Sequence, residues 1–209
     1  MRLKIHPFQL PLKNTFTISR LSRDVQPSIV VELEQDGQSG LGEATANAYY
    51  NMTIESMTAI LEQLRPKIEA YTLDTPEKFW QYLYEDLKDT PFVQCALDEA
   101  AHDLWAKQQQ KPLYAAWNLA LTDALPLTNY TIGIADIDKM VAKMEAMPWP
   151  IYKIKLGTDH DLEIVRALRQ HTKATFRVDA NCAWTVEQTI AYAKELKTLG
   201  VEFIEQPLP

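Results

Sequence analysis

The last third of the chain repeats one arrangement. Ile151-Tyr152-Lys153-Ile154-Lys155-Leu156 is followed by Phe176-Arg177-Val178-Asp179-Ala180-Asn181, and then by Val201-Glu202-Phe203-Ile204-Glu205-Gln206-Pro207. Each segment has the length and the β-branched or aromatic content of a strand. Helical periodicity fills the intervals. Lys155, Asp179 and Glu205 recur about every 25 residues, the length of one βα unit. A strand–helix repeat that keeps placing charge at the strand's end builds an α/β sheet or barrel with a site on one rim.

The same grammar starts near Leu125-Pro126. Leu127 to Ile134 reads as a strand and Ile137 to Met147 as a helix, so four parallel strands and three helices are expected by Pro209. In the last helix Thr185 and Gln188 form a capping box and Gly200 closes the C-terminus. Its expected buried face is Val186, Ile190, Ala193 and Leu196. Residues 1–124 read as a separate α+β domain. Pro7 and Pro11 make Arg2 to Leu12 an edge strand, and Thr15 to Gln26 is polar and reads as a loop. Ile29, Val31 and Leu33 alternate before the turn Asp36-Gly37, and Gly40 to Ala44 is the return strand. Helices are expected from Thr53, from Thr75-Pro76 and from Gln94 to Lys107, with a further turn at Leu113 to Leu119.

Charge and composition exclude several functions. The net charge is −7 and the basic residues are scattered, so no stripe exists to track the phosphates of a nucleic acid. No apolar run approaches the roughly 20 residues of a spanning helix, so no membrane partner is expected. The N-terminus has no apolar targeting segment. Cys95 and Cys182 make no disulfide framework and suit a reducing compartment, so a cytoplasmic location is expected.

Alternate side chains of a strand share a face, so Lys153 and Lys155 point together while Tyr152, Ile154 and Leu156 occupy the reverse. Mutual repulsion and partial burial should lower the pKa of at least one of them, the usual route to a lysine base near neutral pH. Asp179 and Glu205, at the next two strand ends, are hard oxygen donors suited to Mg2+. Thr131, at the end of the first strand, completes a polar row on the rim. Each residue also has a plainer reading. Asp179 and Glu205 taken singly fit helix caps or solvated loop acids, Lys153 a surface lysine, and Thr131 a hydroxyl bonded to nearby backbone. Asp98 and His102 read as a solvated helical face, Trp80, Trp105 and Trp117 as packing, and Cys182 as a spectator thiol.

The motifs resemble a known family. Lys153-Ile154-Lys155, Asp179-Ala180-Asn181 and Glu205-Gln206-Pro207 look like the KxK, DxN and EQP signatures of the enolase superfamily, in its muconate-lactonizing branch. Gly40 to Ala44 and Ala96 to Leu104 are similar to that branch's capping-domain motifs. Asn129-Tyr130-Thr131-Ile132-Gly133 most resembles the dipeptide epimerases, where the matching threonine contacts substrate. The resemblance implies an α/β fold class: an α+β capping domain (1–124), then the first half of a (β/α)8-type barrel (125–209). It implies Mg2+-assisted removal of an α-proton from a small carboxylate, most closely a dipeptide, a lysine-plus-Mg2+ arrangement already known for enolase-superfamily sites. Lys155 would be the acid/base on one face, and Lys153 would neutralise the substrate carboxylate and developing enolate. Asp179 and Glu205 would be two of three metal ligands, and Arg23 or Arg20 would reach the substrate from the cap. A member would continue for about four more βα units, carrying the third ligand, the opposite-face lysine and an acidic pair. These 209 residues alone are therefore expected to be inactive. Homo-oligomers are common in the branch. Cycloisomerase, N-acylamino-acid racemase or o-succinylbenzoate synthase chemistry on the same lysines is the alternative, as is a non-catalytic half-barrel that only binds.

Overall fold

A computed structural model describes residues 1–122 and 124–209. The chain divides into two compact units, one made of Met1–Pro11 with Val25–Asp123 and the other of Leu12–Asp24 with Ala124–Pro209. Strands β1 (Arg2–Ile18), β2 (Leu21–Gln35) and β3 (Gln38–Thr45) form a sheet in that order. Asp36 and Gly37 both take positive φ, 54° and 76°, which gives the β2–β3 hairpin a turn whose twist matches its strands. Ile29, Val31 and Leu33 alternate into the first core.

Helices α1 (Ile54–Glu69), α2 (Pro76–Leu87), α3 (Pro91–Gln108) and the short α4 (Leu113–Ala116) complete the first unit. Thr53 caps α1 through the Ser56 N–H, and Thr75 caps α2 ahead of Pro76. The backbones of α3 and β3 meet at two glycines. A Cβ at Gly42 would lie 2.0 Å from the Ala96 carbonyl oxygen, and one at Gly40 would lie 2.2 Å from that of Ala100. From the same helix Asp103 and Glu99 accept the N–H groups of Leu41 and Glu43, each at 2.9 Å, so the free edge of β3 is satisfied by side chains. His102, on this helix, is not on a solvated face. Its side chain is 17% exposed, lies 3.8 Å from Asp98 and packs edge-on against Trp105 and Trp117.

In the second unit β4 (Tyr130–Ile132), α5 (Ile137–Ala146), β5 (Ile151–Lys155), α6 (Asp161–Arg169), β6 (Thr175–Asp179), α7 (Val186–Thr198) and β7 (Val201–Glu205) alternate. The four strands are parallel and lie in chain order. Ile132, Tyr152, Ile154, Phe176 and Val178 pack with Met140, Met144, Val165 and Leu168 as a second core. Two expectations fail here. Thr15 to Gln26 is not a loop: it carries β1 into β2 as a hairpin, tied by Thr15 to Asp24 at 2.5 Å and Thr17 to Ser22 at 2.8 Å. Polar cross-strand pairs hold that hairpin, so hydrophobic periodicity gave no sign of it. The buried face of α7 is also rotated from the expected one. Val186 and Ile190 are 52% and 58% exposed, while Leu196 is buried and Tyr192 and Leu199 pack inward, Tyr192 edge-on to Trp184.

Candidate active site

The face of the parallel sheet opposite the second core carries the charged row. Register pairs Thr131 with Lys153, Lys153 with Arg177, and Lys155 with Asp179 and then Glu205. Glu205 reaches this face by an irregularity. Phe176 pairs with Val201 but Val178 pairs with Ile204, so Glu202 and Phe203 together oppose Arg177. Strict alternation from the inward-packed Val201 would have put Glu205 among the apolar side chains. The bulge shifts the parity, leaving Ile204 against the core and Glu205 beside Asp179. Arg177 holds the bulge, with Nε 2.6 Å from Glu202 and its guanidinium over the Phe203 ring at 5.2 Å.

Four of the expected residues converge. Lys155 Nζ lies 2.7 Å from Asp179 Oδ2, and Lys153 Nζ lies 3.1 Å from the same atom and 2.5 Å from Glu205 Oε2. The Asp179 side chain is 1% exposed, and its other oxygen accepts the Asn181 N–H at 2.8 Å. Burial is the largest influence on Asp179 and raises its pKa. The bonds from Lys155 and the Asn181 N–H outweigh it and hold the carboxyl below the ordinary aspartate value. At least one of the two lysines is expected to have a lowered pKa, and Lys153 is not that one. Burial lowers its pKa, yet the bonds to Glu205 and Asp179 overcome that and raise it, because carboxylates rather than the second lysine are its nearest charges.

The hairpin between β1 and β2 lies beside these strand ends. Thr17 accepts the Ile134 N–H at 3.0 Å, Ser19 Oγ reaches the Ala180 and Asn181 carbonyls at 3.4 Å, and the Phe16 ring lies 6.0 Å from Lys155 Nζ. Arg20 sits exposed at its turn and Arg23 is half-buried on β2, so both are strand-hairpin residues rather than loop residues. Past the carboxylates the backbone is left-handed at Asn181, Cys182 and Gln206, and the Asn181 Oδ1 atom is buried and, among the described residues, has no hydrogen-bond partner. Left-handed non-glycine residues gathered at strand ends are a mark of functional rims. Asp161, which opens α6 and carries no role in the motifs above, accepts from four donors: the Gly157 and Thr158 N–H groups, Thr158 Oγ1 and the Trp184 indole. The spacing Thr158-x-x-Asp161 is the one sequence signal for it.

The family model described as "Mandelate racemase / muconate lactonizing enzyme, N-terminal domain" matches residues 2–116. A second, "Enolase C-terminal domain-like", matches residues 136–209. The chain belongs to the mandelate racemase/muconate lactonizing enzyme family. Within the family it is 55% identical over its whole length to an L-Ala-D/L-amino acid epimerase of Flavobacterium johnsoniae, covering 62% of that protein. A dipeptide epimerase of Methylococcus capsulatus, solved with Mg and the dipeptide L-Arg-D-Lys, is 29% identical over 99% of the chain, with a TM-score of 0.88 over 61% of its own length. The substrate-liganded L-Ala-D/L-Glu epimerase of Bacillus subtilis shares the fold at 23% identity, with a TM-score of 0.90 over 100% of this chain and 61% of its own. The chain thus spans about three-fifths of the length of the relatives it matches, and its fold is a capping region followed by the first half of the family's barrel.

The donor set fits a hard cation. Two carboxylates on adjacent strands turn toward one point, and an ammonium group, that of Lys153, already bridges them. Among the described residues no group of three or more His, Cys, Asp or Glu side chains is placed to hold a metal ion. No helix among the described residues is long and apolar enough to cross a membrane.

Proposed function

We propose that the complete protein is a Mg2+-dependent epimerase that removes and returns the α-proton of a dipeptide. The observation that carries this reading is the placement of two lysines and two carboxylates on one face of the strand ends, with Asp179 shared by both lysines. The epimerase activity named for the 55%-identical relative and the Mg and dipeptide of the Methylococcus capsulatus structure support it.

Each residue has a role that its surroundings suit. Lys155, buried against Asp179 and beside Phe16, would take the α-proton on one face and hold it at Nζ. Lys153, whose raised pKa keeps it an ammonium, would neutralise the substrate carboxylate and the charge that develops on it. Asp179 and Glu205 would hold Mg2+, which when bound supplies positive charge opposite the substrate carboxylate. Thr131 and Arg23 would contact the substrate. In deuterated water with Mg2+, the complete protein should exchange the α-proton of its dipeptide and stop when a chelator is added. Exchange with N-acyl amino acids and none across a dipeptide panel would overturn the dipeptide reading in favour of a racemase on the same lysines.

A further inference from the structure

Asp161 and Asp179 are the two buried carboxylates among the described residues, and they are held in opposite ways. Asp179 is held by lysines. Asp161 is 1% exposed and, among the described residues, has no cation beside it. Its oxygens instead accept from Gly157 N–H at 2.9 and 3.0 Å, Thr158 N–H at 2.8 Å, Thr158 Oγ1 at 2.8 Å and the Trp184 indole N–H at 2.6 Å.

The Thr158 N–H bond is the reach-back bond of a capping box, from the residue three before the acid, but the bonds from the Gly157 N–H and the Trp184 indole go beyond a cap. Asp161 opens α6 but bonds backward to Gly157 and Thr158, which follow Lys155, and sideways to Trp184, in the segment after Asp179. Gly157 is itself enclosed. At φ 111° a Cβ there would lie 2.5 Å from the Ser19 Cβ and 2.8 Å from the Ala183 Cβ. The group that fixes the Gly157 N–H therefore also sets how closely the hairpin and the β6–α7 segment approach the lysine's strand.

We infer that Asp161 is a positioning residue whose carboxylate ties the segment after Lys155 to the segment after Asp179, holding Lys155 in place at the rim. The inference rests on the acid/base role proposed for Lys155. Asparagine has the same shape but turns an NH2 toward donors that need an acceptor, so Asp161→Asn breaks the tie without emptying the space. Trp184→Phe removes the cross-segment bond and, because the indole is buried in the second core, some packing with it.

Two measurements on the complete protein test it. In the first, amide hydrogen exchange of Asp161→Asn should rise at least tenfold at both Gly157-Thr158 and Ala180 to Ala183, with α5 unchanged; a rise confined to Gly157-Thr158, or none, overturns the inference. In the second, α-proton exchange into deuterated water is followed for each epimer separately. The epimer presenting its proton to Lys155 should lose at least tenfold in kcat with KM within threefold, while the other stays within twofold; Trp184→Phe should act in the same direction and less. Equal losses for both epimers would mark Asp161 as merely structural and overturn the inference. If the unmodified protein exchanges no dipeptide, the functional reading fails and the first measurement alone decides.

Discussion

Lys153 Nζ is shared between two carboxylates, 2.5 Å from Glu205 Oε2 and 3.1 Å from Asp179 Oδ2. An ammonium there competes for the oxygens that a divalent cation would use. Lys153→Met removes the competitor along with the charge that would face the substrate. Mg2+ should then bind the complete protein more tightly by calorimetry, while α-proton exchange falls about 100-fold or more, the usual cost of losing one electrostatic stabiliser. Weaker Mg2+ binding would show that Lys153 assembles the carboxylates instead of opposing the metal.

The contact of α3 with β3 has no slack. At Gly42 an added methyl would sit 2.0 Å from a backbone oxygen, which cannot turn aside as a flexible side chain would. Gly42→Ala should destabilise the first unit by about 3 kcal/mol or more, the upper range for an overpacked core. Urea denaturation checks this: a midpoint equal to the unmodified protein's would mean that the helix can lift off the strand cheaply.

These two sites differ in how well the sequence announced them. Lys153 and Lys155 stood out by strand alternation, and Asp179 and Glu205 by the repeat that places charge at each strand's end, although alternation alone would have turned Glu205 inward. The α3–β3 contact was only half-legible, since Gly40 and Gly42 read as strand residues without saying which backbone they admit. The bulge at Glu202-Phe203 was invisible, because an apolar strand with one extra residue looks like a longer strand. The hairpin at Thr15 to Asp24 was misread for the opposite reason: hydroxyl–carboxylate pairs hold it and it has no apolar period. The exposed Val186 and Ile190 carry a helical period that the fold does not bury, since period fixes a stripe but not the partner that covers it. The raised pKa of Lys153 depends on which charge lies nearest across strands, which spacing along one strand does not report.

The first unit has an acid-sensitive ion cluster. Hydrogen bonds from Lys4 and His6 outweigh the effect of burial and hold the Glu32 carboxyl below the ordinary glutamate value of 4.5. A carboxyl whose folded pKa is depressed contributes stability above its unfolded value and loses it as pH falls through the folded one. The loss therefore belongs below pH 4.5. Glu32→Gln should lower Tm at pH 7 by no more than about 3 °C, as suits a partly exposed pair, and should flatten the fall of Tm below pH 4.5. An acid limb of unchanged slope would assign that loss to other carboxylates.

Epimerisation needs a proton removed on one face of the α-carbon and delivered to the other. Among the described residues the strand-end row offers Lys155 as base, and Lys153 is committed as an ammonium between two carboxylates. The 209 residues expressed by themselves should therefore racemise no dipeptide with Mg2+ present, while the complete protein does. In the complete protein Lys155→Ala should cut exchange at its own face by roughly 100- to 10,000-fold, the range for losing a general base. Exchange at the opposite face should continue, because a proton taken there returns from the same group. Chiral chromatography after incubation in deuterated water separates the two faces. Racemisation by the 209 residues alone would mean that one rim supplies both proton transfers, and surviving exchange at the Lys155 face would remove that residue from its role.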